Sequence, residues 1–158
     1  MAAGIPGGQV TVRPRRIGPQ RPRPPVRVVD ASVVLSWLLK DPISKPARQA
    51  LDDHVNGSNP AVAPELLQYE VTNVLARGAG LPADAATAGY AHFLALEVHT
   101  LALGRPEYQR ALQLALRFEI TSYDASYLAL AHSLGTRFVT GDRKLAKRVA
   151  RLGIVDIV

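Results

Sequence analysis

Val26-Arg27-Val28-Val29-Asp30 is the most informative stretch of this 158-residue chain. The run is short and rich in β-branched residues, which is typical of a strand buried in a parallel sheet. Residues 31–39 remain mostly apolar, have Ser32 near their start, and predict a helix. Asp30 therefore lies where a strand ends. Sites in α/β proteins form at that edge of the sheet, so Asp30 is a candidate site residue.

The same alternation of strands and helices continues along the chain to its last residue. Further strands are predicted at 60–63, 97–101, 137–140 and 154–158, and further helices at 45–54, 64–78, 82–94, 105–119, 123–134 and 142–152. Strands that alternate with helices predict an α/β fold of three layers, α/β/α, around a central parallel sheet. We expect residues 26–158 to form this single domain.

The segment 1–25 differs from the rest because it is rich in Pro, Gly and Arg and has almost no apolar pattern. We predict a disordered extension. It carries five arginines and no acid, so removing them from the formal net charge of +6 leaves +1 for the rest of the chain. The basic balance is thus mostly a property of this segment. An arm that binds RNA or a partner protein is the alternative interpretation.

The composition excludes several kinds of chemistry. The chain has no Cys, which excludes disulfides, thiolate metal sites and cysteine nucleophiles and is compatible with a reducing cytoplasm. No apolar run is long enough to span a bilayer, and no apolar segment of a secretory signal follows the basic start. We therefore expect a cytoplasmic protein that does not bind membranes. The four histidines share no ligand spacing and are predicted to be structural or exposed.

Four carboxylates stand beside or inside apolar elements rather than in charge-rich segments: Asp30, Glu70, Asp124 and Asp142. Acids brought together at one sheet edge would repel one another and raise each other's pKa values. A divalent cation removes that penalty, and oxygen ligands without Cys or clustered His favour Mg²⁺ or Mn²⁺. Such an ion polarises a phosphate and activates water, so the pattern indicates phosphodiester chemistry. Asp124 and Asp142 would also suit helix N-caps, which is the alternative for each taken alone.

Four segments in order carry a resemblance to a known family. They begin with Val28-Val29-Asp30-Ala31-Ser32, Pro64-Glu65-Leu66-Leu67, Tyr123-Asp124-Ala125-Ser126 and Phe138-Val139-Thr140-Gly141-Asp142. Together they resemble the motifs of PIN-domain proteins, and their order and spacing are similar to the VapC-type toxins of bacterial type II toxin–antitoxin systems. The resemblance covers residues 26–158.

The resemblance implies a magnesium-dependent endoribonuclease that acts as a toxin, with RNA as substrate, a cognate antitoxin and a homodimeric state. Asp30 and Asp124 are then the principal metal ligands, and Glu70 and Asp142 support them directly or through water. Residues predicted to orient these ligands or to bond near the scissile phosphate are Ser32, Thr140 and Asn73. The basic run after Asp142 supplies candidate RNA contacts at Arg143, Lys144 and Lys147, although an ordinary solvated helix face explains the same run.

Two other functions compete with this hypothesis. A non-catalytic PIN-like module that binds RNA or a partner would be expected to have lost one of the acids, and none is missing. A small phosphatase of another α/β type needs a second Asp two residues after the first, where this chain has Ser32.

Overall fold

The predicted alternation of strands and helices is confirmed in the computed structural model, which describes residues 25–39 and 42–158. Within these residues the strands are β1 Arg27–Val29, β2 Ala61–Pro64, β3 His99–Leu101, β4 Phe138–Thr140 and β5 Val155–Ile157. The α-helices are α1 Ala31–Leu39, α2 Lys45–Val55, α3 Leu66–Asn73, α4 Ala83–Ala95, α5 Arg105–Phe118, α6 Ser122–Leu134 and α7 Arg143–Arg148. Apart from Pro25, the predicted extension 1–25 lies outside the described residues.

All five strands of the described residues pair in parallel, in the order β3-β2-β1-β4-β5. Val28 of the central strand pairs with Val62 on one side and Phe138 on the other. After β1, the next two strands, β2 and β3, are added on one side of it, and the last two, β4 and β5, are added on the other side. The order therefore switches between β1 and β4, where the carboxyl ends of parallel strands leave a crevice suited to ligands.

The helices cover both faces of this sheet. Parallel strands joined through helices make right-handed crossovers, so connections that run in opposite directions put their helices on opposite faces. This puts α1 to α4 on one face and α5 to α7 on the other. The contacts agree, because α1 packs against α2, α3 and α4, whereas α5 packs against α6. The predicted three-layer α/β/α architecture is thus confirmed.

Helix α6 does not alternate between polar and apolar faces in its central part, because that part is enclosed by the core. Its residues 125–131 are all buried, because this helix lies between the sheet and α5. Tyr127 of α6 stacks on Phe138 of β4, with 5.9 Å between the ring centroids. On the other face, Trp37 packs beside His54, whose ring nitrogens contact the carbonyl of Leu96 and the N–H of Ala61. The histidine is therefore structural here, as predicted.

Some predicted boundaries were wrong. Pro64 does not begin a helix but ends β2 opposite Leu101, and α3 begins at Leu66. The N–H of Glu65 still donates to the carbonyl of Leu101, so the sheet pairing extends past the proline and delays the helix. The final predicted helix, 142–152, is interrupted after α7 and continues as a short 3₁₀ turn, Ala150–Leu152. No helix among the described residues is long and apolar enough to cross a membrane.

Candidate functional site

Asp30 follows β1 directly and is the most buried of the four candidate acids, with 9% of its surface exposed. Its Oδ1 accepts from the Ser32 hydroxyl at 2.5 Å and from the Val33 N–H at 3.1 Å. Its Oδ2 accepts from the Thr140 hydroxyl at 2.5 Å. Burial raises the pKa of Asp30 above its ordinary value, and these hydrogen bonds act in the opposite direction. The carboxylate is thus held in one orientation at a desolvated position.

Two hydroxyls connect Asp30 to the loop after β4. The Thr140 Oγ1 that donates to Asp30 also accepts from the N–H of Asp142 at 2.9 Å. The Ser32 Oγ that donates to Asp30 accepts from the N–H of Gly141 at 2.7 Å. A Cβ at Gly141 would lie 3.0 Å from that Ser32 oxygen, so glycine permits this close approach. Ser32 and Thr140, both predicted to orient ligands, therefore contact Asp30 and fix the loop that carries Asp142.

Asp142 is the N-cap of α7. Its Oδ1 accepts from the N–H groups of Lys144 at 2.8 Å and Leu145 at 3.0 Å. The residue is exposed, so the carboxylate both caps the helix and faces solvent at the sheet edge. For Asp142 the capping interpretation is correct, and it does not conflict with a position in the site.

Asp124 is not an N-cap, which corrects that alternative. The cap of α6 is Thr121, whose Oγ1 accepts from the Asp124 N–H at 3.0 Å and donates to the Asp124 Oδ2 at 2.7 Å. This reciprocal bonding holds the Asp124 side chain in the first turn of α6. Asp124 and Asp142 line one open cavity of about 240 Å³, together with Lys144 and Arg148.

Glu70 reaches the same edge from α3. The hydroxyl of Tyr127 donates to its Oε2, across 57 residues of sequence. Partial burial raises the pKa of Glu70, the Tyr127 hydrogen bond lowers it, and the negative charges of Asp30 and Asp124 raise it further. The pKa of Tyr127 is raised by its own burial and by the Glu70 carboxylate. Glu70 is therefore close enough to both aspartates to feel their charges.

The four acids are neighbours in the structure: Asp30 and Asp142 share Thr140, Asp124 and Asp142 line one cavity, and Glu70 feels the charges of Asp30 and Asp124. Each of them is hydrogen bonded to a protein donor of its own. Among the described residues, no three His, Asp or Glu side chains form a ready-made cage for a metal ion. The ion pairs among the described residues, Arg27–Asp53 and Arg137–Asp156, include none of the four acids. Neighbouring carboxylates, three of them at least partly buried and none in an ion pair among the described residues, fit a hard divalent ion, since carboxylate oxygens are its preferred ligands.

The other predicted contacts are distributed unevenly. Asn73 is exposed at the end of α3, and its side chain makes no hydrogen bond to the described site residues. Lys144 lines the cavity that contains Asp124 and Asp142. Lys147 lines an adjoining cavity, and Arg143 is exposed and lines neither one.

Sequence reasoning missed two residues that hold site acids, Thr121 and Tyr127. Thr121 precedes Asp124 by three residues, which is the spacing of a capping box and was available as a signal. Tyr127 follows Asp124 by three residues and so lies on the same face of α6. Nothing in the local pattern could pair its hydroxyl with Glu70, because that contact depends on how α3 and α6 meet.

The sequence that forms this parallel sheet and carries the four acids matches a known protein family. A model of the PIN domain family matches residues 27–152, which is well over half of the chain. The chain therefore belongs to the PIN-domain family.

Individual relatives indicate the type of PIN domain. The chain is 34% identical over 132 residues to Ribonuclease VapC3 of Pyrobaculum aerophilum, covering 79% of this chain and 95% of that protein. The crystal structure of PAE2754 from the same organism superposes with a TM-score of 0.58 at 26% identity, covering 78% and 86% of the two chains. The resemblance to VapC-type PIN domains that the four segments indicate is thereby confirmed.

A more distant neighbour shares the fold. The crystal structure of Mycobacterium tuberculosis VapC20, described as a toxin that cleaves the sarcin–ricin loop, gives a TM-score of 0.51 at 18% identity. The match covers 77% of this chain and 93% of the neighbour. At this identity the likeness supports the architecture alone.

Proposed function

We propose that this chain is a magnesium-dependent endoribonuclease and the toxin of a toxin–antitoxin pair. The proposal is supported by the proximity of Asp30, Glu70, Asp124 and Asp142 to one another in a VapC-type PIN domain. A relative named as a ribonuclease, similar over 95% of its own length, supports this activity. Retention of all four acids argues against a non-catalytic module that only binds RNA or a partner.

In this proposal Asp30 and Asp124 are the principal ligands of Mg²⁺, and Mn²⁺ can replace it. Glu70 and Asp142 support the ion directly or through water. When bound, such an ion neutralises the acids, polarises a phosphate and lowers the pKa of a water molecule. The all-oxygen donor set favours these hard ions over Zn²⁺. Among the described residues, only one oxygen of each of Asp124 and Glu70 accepts a hydrogen bond, Oδ2 and Oε2, so the other oxygen of each is the one we assign to the ion.

The chain's own contribution is to hold these groups in place. Ser32 and Thr140 fix both oxygens of Asp30, so that this ligand loses little conformational entropy when a cation binds. Tyr127 holds Glu70, and Thr121 holds Asp124. Lys144, which lines the cavity beside Asp124 and Asp142, is suited to contact a phosphate at the same place. Asn73 remains a proposed contact near the scissile phosphate.

Cleavage of an end-labelled single-stranded RNA in Mg²⁺ tests the activity. We expect Asp30→Asn and Asp124→Asn to lower the rate by about 100-fold or more, because each removes a ligand charge. Asp84→Asn is the matched control, since Asp84 is an exposed acid in the first turn of α4. Full cleavage by both site variants, or cleavage that continues in excess EDTA, would refute the mechanism.

The partners of the proposed toxin are RNA, a cognate antitoxin and a second copy of the chain, in the cytoplasm. An exposed apolar surface supports the homodimer. Tyr108, Leu112 and Leu116 follow one another at four-residue spacing on α5, with exposures of 63%, 60% and 74%. Tyr108 and Leu112 also line an apolar groove of about 340 Å³ with Tyr123 of α6. Monomers rarely expose such a continuous apolar stripe, so we propose that it packs against its copy.

A further inference from the structure

We propose that a basic groove beside the acidic edge binds the phosphates of single-stranded RNA on one side of the scissile bond. The basic groove is lined by Arg117, Phe118, Lys147, Arg148, Ala150 and Arg151. It has a volume of about 580 Å³, and no Asp or Glu of the described residues lines it. This inference rests on the proposed ribonuclease function and extends it to the part of the substrate that is not cleaved.

Two of the four cations are held in place by contacts on the protein. The Nη1 of Arg148 donates to the carbonyl of Glu119 at 2.5 Å, at the left-handed residue that ends α5. The guanidinium carbon of Arg117 lies 5.1 Å from the centre of the Phe118 ring. Such contacts limit the conformations of long side chains, so part of the entropy cost of binding a phosphate is already met.

The basic groove is continuous with the candidate site. Arg148 lines the basic groove and also lines the cavity that contains Asp124 and Asp142. Lys144 lines the cavity that contains Asp124 and Asp142, whereas Lys147, one helical turn further along α7, lines the basic groove. A strand with one phosphate at the acids can therefore continue past Arg148, which lines both cavities, along α7 toward the end of α5.

The chemistry of the basic groove favours a single nucleic acid strand as its occupant. Four cations without an acid complement a polyanion, and the strength of such binding comes mainly from counterion release. The partly buried ring of Phe118 lies beside these cations, with Arg117 over it, and aromatic and arginine side chains beside phosphate contacts are typical of surfaces that bind single strands. An acidic polypeptide would pair with these cations equally well, but it would be repelled by Asp124 and Asp142 in the adjoining cavity.

The experiment compares RNA binding by two double variants of the full 158-residue chain in EDTA, where the proposed cleavage is blocked. Arg117→Gln with Arg151→Gln removes one cation from each side of the basic groove. Lys45→Gln with Arg48→Gln is the matched control, because both residues are exposed on α2 and line neither cavity. All proteins keep the arginines of segment 1–25, so that their non-specific contribution cancels. Both residues removed from the groove are exposed, and equal melting temperatures will establish that the fold is retained.

Fluorescence anisotropy with a labelled 12-nucleotide single strand gives the affinity at several salt concentrations. We expect the groove variant to bind about 10-fold more weakly at 0.1 M salt, and its salt slope to fall by about 1.4, since each phosphate contact on a single strand contributes about 0.7. The control variant should match the parent. Unlabelled duplex RNA and oligoglutamate should compete less well than an unlabelled single strand.

The inference is overturned if the groove variant binds as the parent does, or if the parent does not bind RNA. It is also overturned if oligoglutamate or the duplex competes better than the single strand, since the basic groove would then serve an acidic protein or double-stranded RNA. Cleavage by the parent with unchanged binding by the groove variant rejects the groove but keeps the nuclease. Weakened binding by the groove variant, with no cleavage by the parent in Mg²⁺, rejects the nuclease but keeps the groove as an RNA site.

Discussion

Asp30 shows how single residues shape the proposed site. Burial of its carboxylate raises the pKa of Asp30, so ionisation costs more than in water, and the hydrogen bonds from two hydroxyls offset part of that cost. A bound cation would remove this cost, so the folded domain should be more stable with the ion than without it. Burial of the acid thus links metal binding to the stability of the whole domain.

Asp30→Asn should therefore separate stability from metal binding. We expect the stability of the metal-free variant to lie within about 1 kcal/mol of the parent, because removal of a buried charge offsets the loss of one hydrogen-bond acceptor. Mn²⁺ should raise the melting temperature of the parent but not of the variant. Thermal unfolding with and without Mn²⁺ measures both effects. An equal Mn²⁺ shift in the two proteins would show that Asp30 is not a ligand.

Tyr127 is the second informative residue, because its ring and its hydroxyl do different things. Tyr127→Phe keeps the stacking on Phe138 and removes the donor to Glu70. We expect a loss of about 1 kcal/mol in stability and about 10-fold in cleavage rate, and a higher Mg²⁺ concentration for half-maximal cleavage. Tyr90→Phe is the control, since its hydroxyl is 3.4 Å from Gln68 Oε1 rather than bonded to a site acid. Equal rates for the two variants would mean that Glu70 does not need Tyr127.

At the scale of elements, the start of α6 both folds the helix and positions a site acid. Thr121 caps the helix and is hydrogen bonded to both the N–H and the carboxylate of Asp124. The first turn of α6 therefore carries a site acid whose side chain is held by the helix cap. A helix cap at a functional site therefore affects stability and activity together, whereas a cap elsewhere affects stability alone.

Thr121→Ala and Ser44→Ala test this difference. Ser44 caps α2 by accepting from the N–H of Ala47, and it does not contact any of the four acids. Each substitution should cost about 1 kcal/mol of stability, the usual value for a lost cap. Only Thr121→Ala should also lower the cleavage rate, and Thr121→Ser should restore it. A comparable rate loss in Ser44→Ala would attribute the effect to general destabilisation.

At the scale of the molecule, local patterns predicted the parallel sheet well. The β-branched residues of β1 were sufficient to predict a strand, and the metal site at its end stays a prediction. Pro64 was misassigned because pairing with β3 extends β2 past the point where the sequence suggests a helix. The Tyr127–Glu70 bond and the approach of Arg117 to Lys147 depend on packing between distant elements, which no local pattern encodes.

The proposed dimer is a property of the whole molecule as well. Leu112→Arg with Leu116→Arg should convert a dimer into a monomer of 17.0 kDa, because two charges would be buried in the interface. Leu94→Arg is the control, since Leu94 is exposed to a similar degree, 53%, but lies on α4. Light scattering after size-exclusion chromatography gives the masses. A parent that elutes as a monomer would exclude this interface.

The proposed metal site can be tested most directly by growing crystals in Mn²⁺ and locating the ion by its anomalous scattering. We predict a peak in the crevice between β1 and β4, within about 2.0–2.3 Å of carboxylate oxygens of both Asp30 and Asp124. Glu70 and Asp142 should lie in the same shell or one water molecule away. Well-ordered acids with no peak between them, or an ion bound only elsewhere on the domain, would contradict the account.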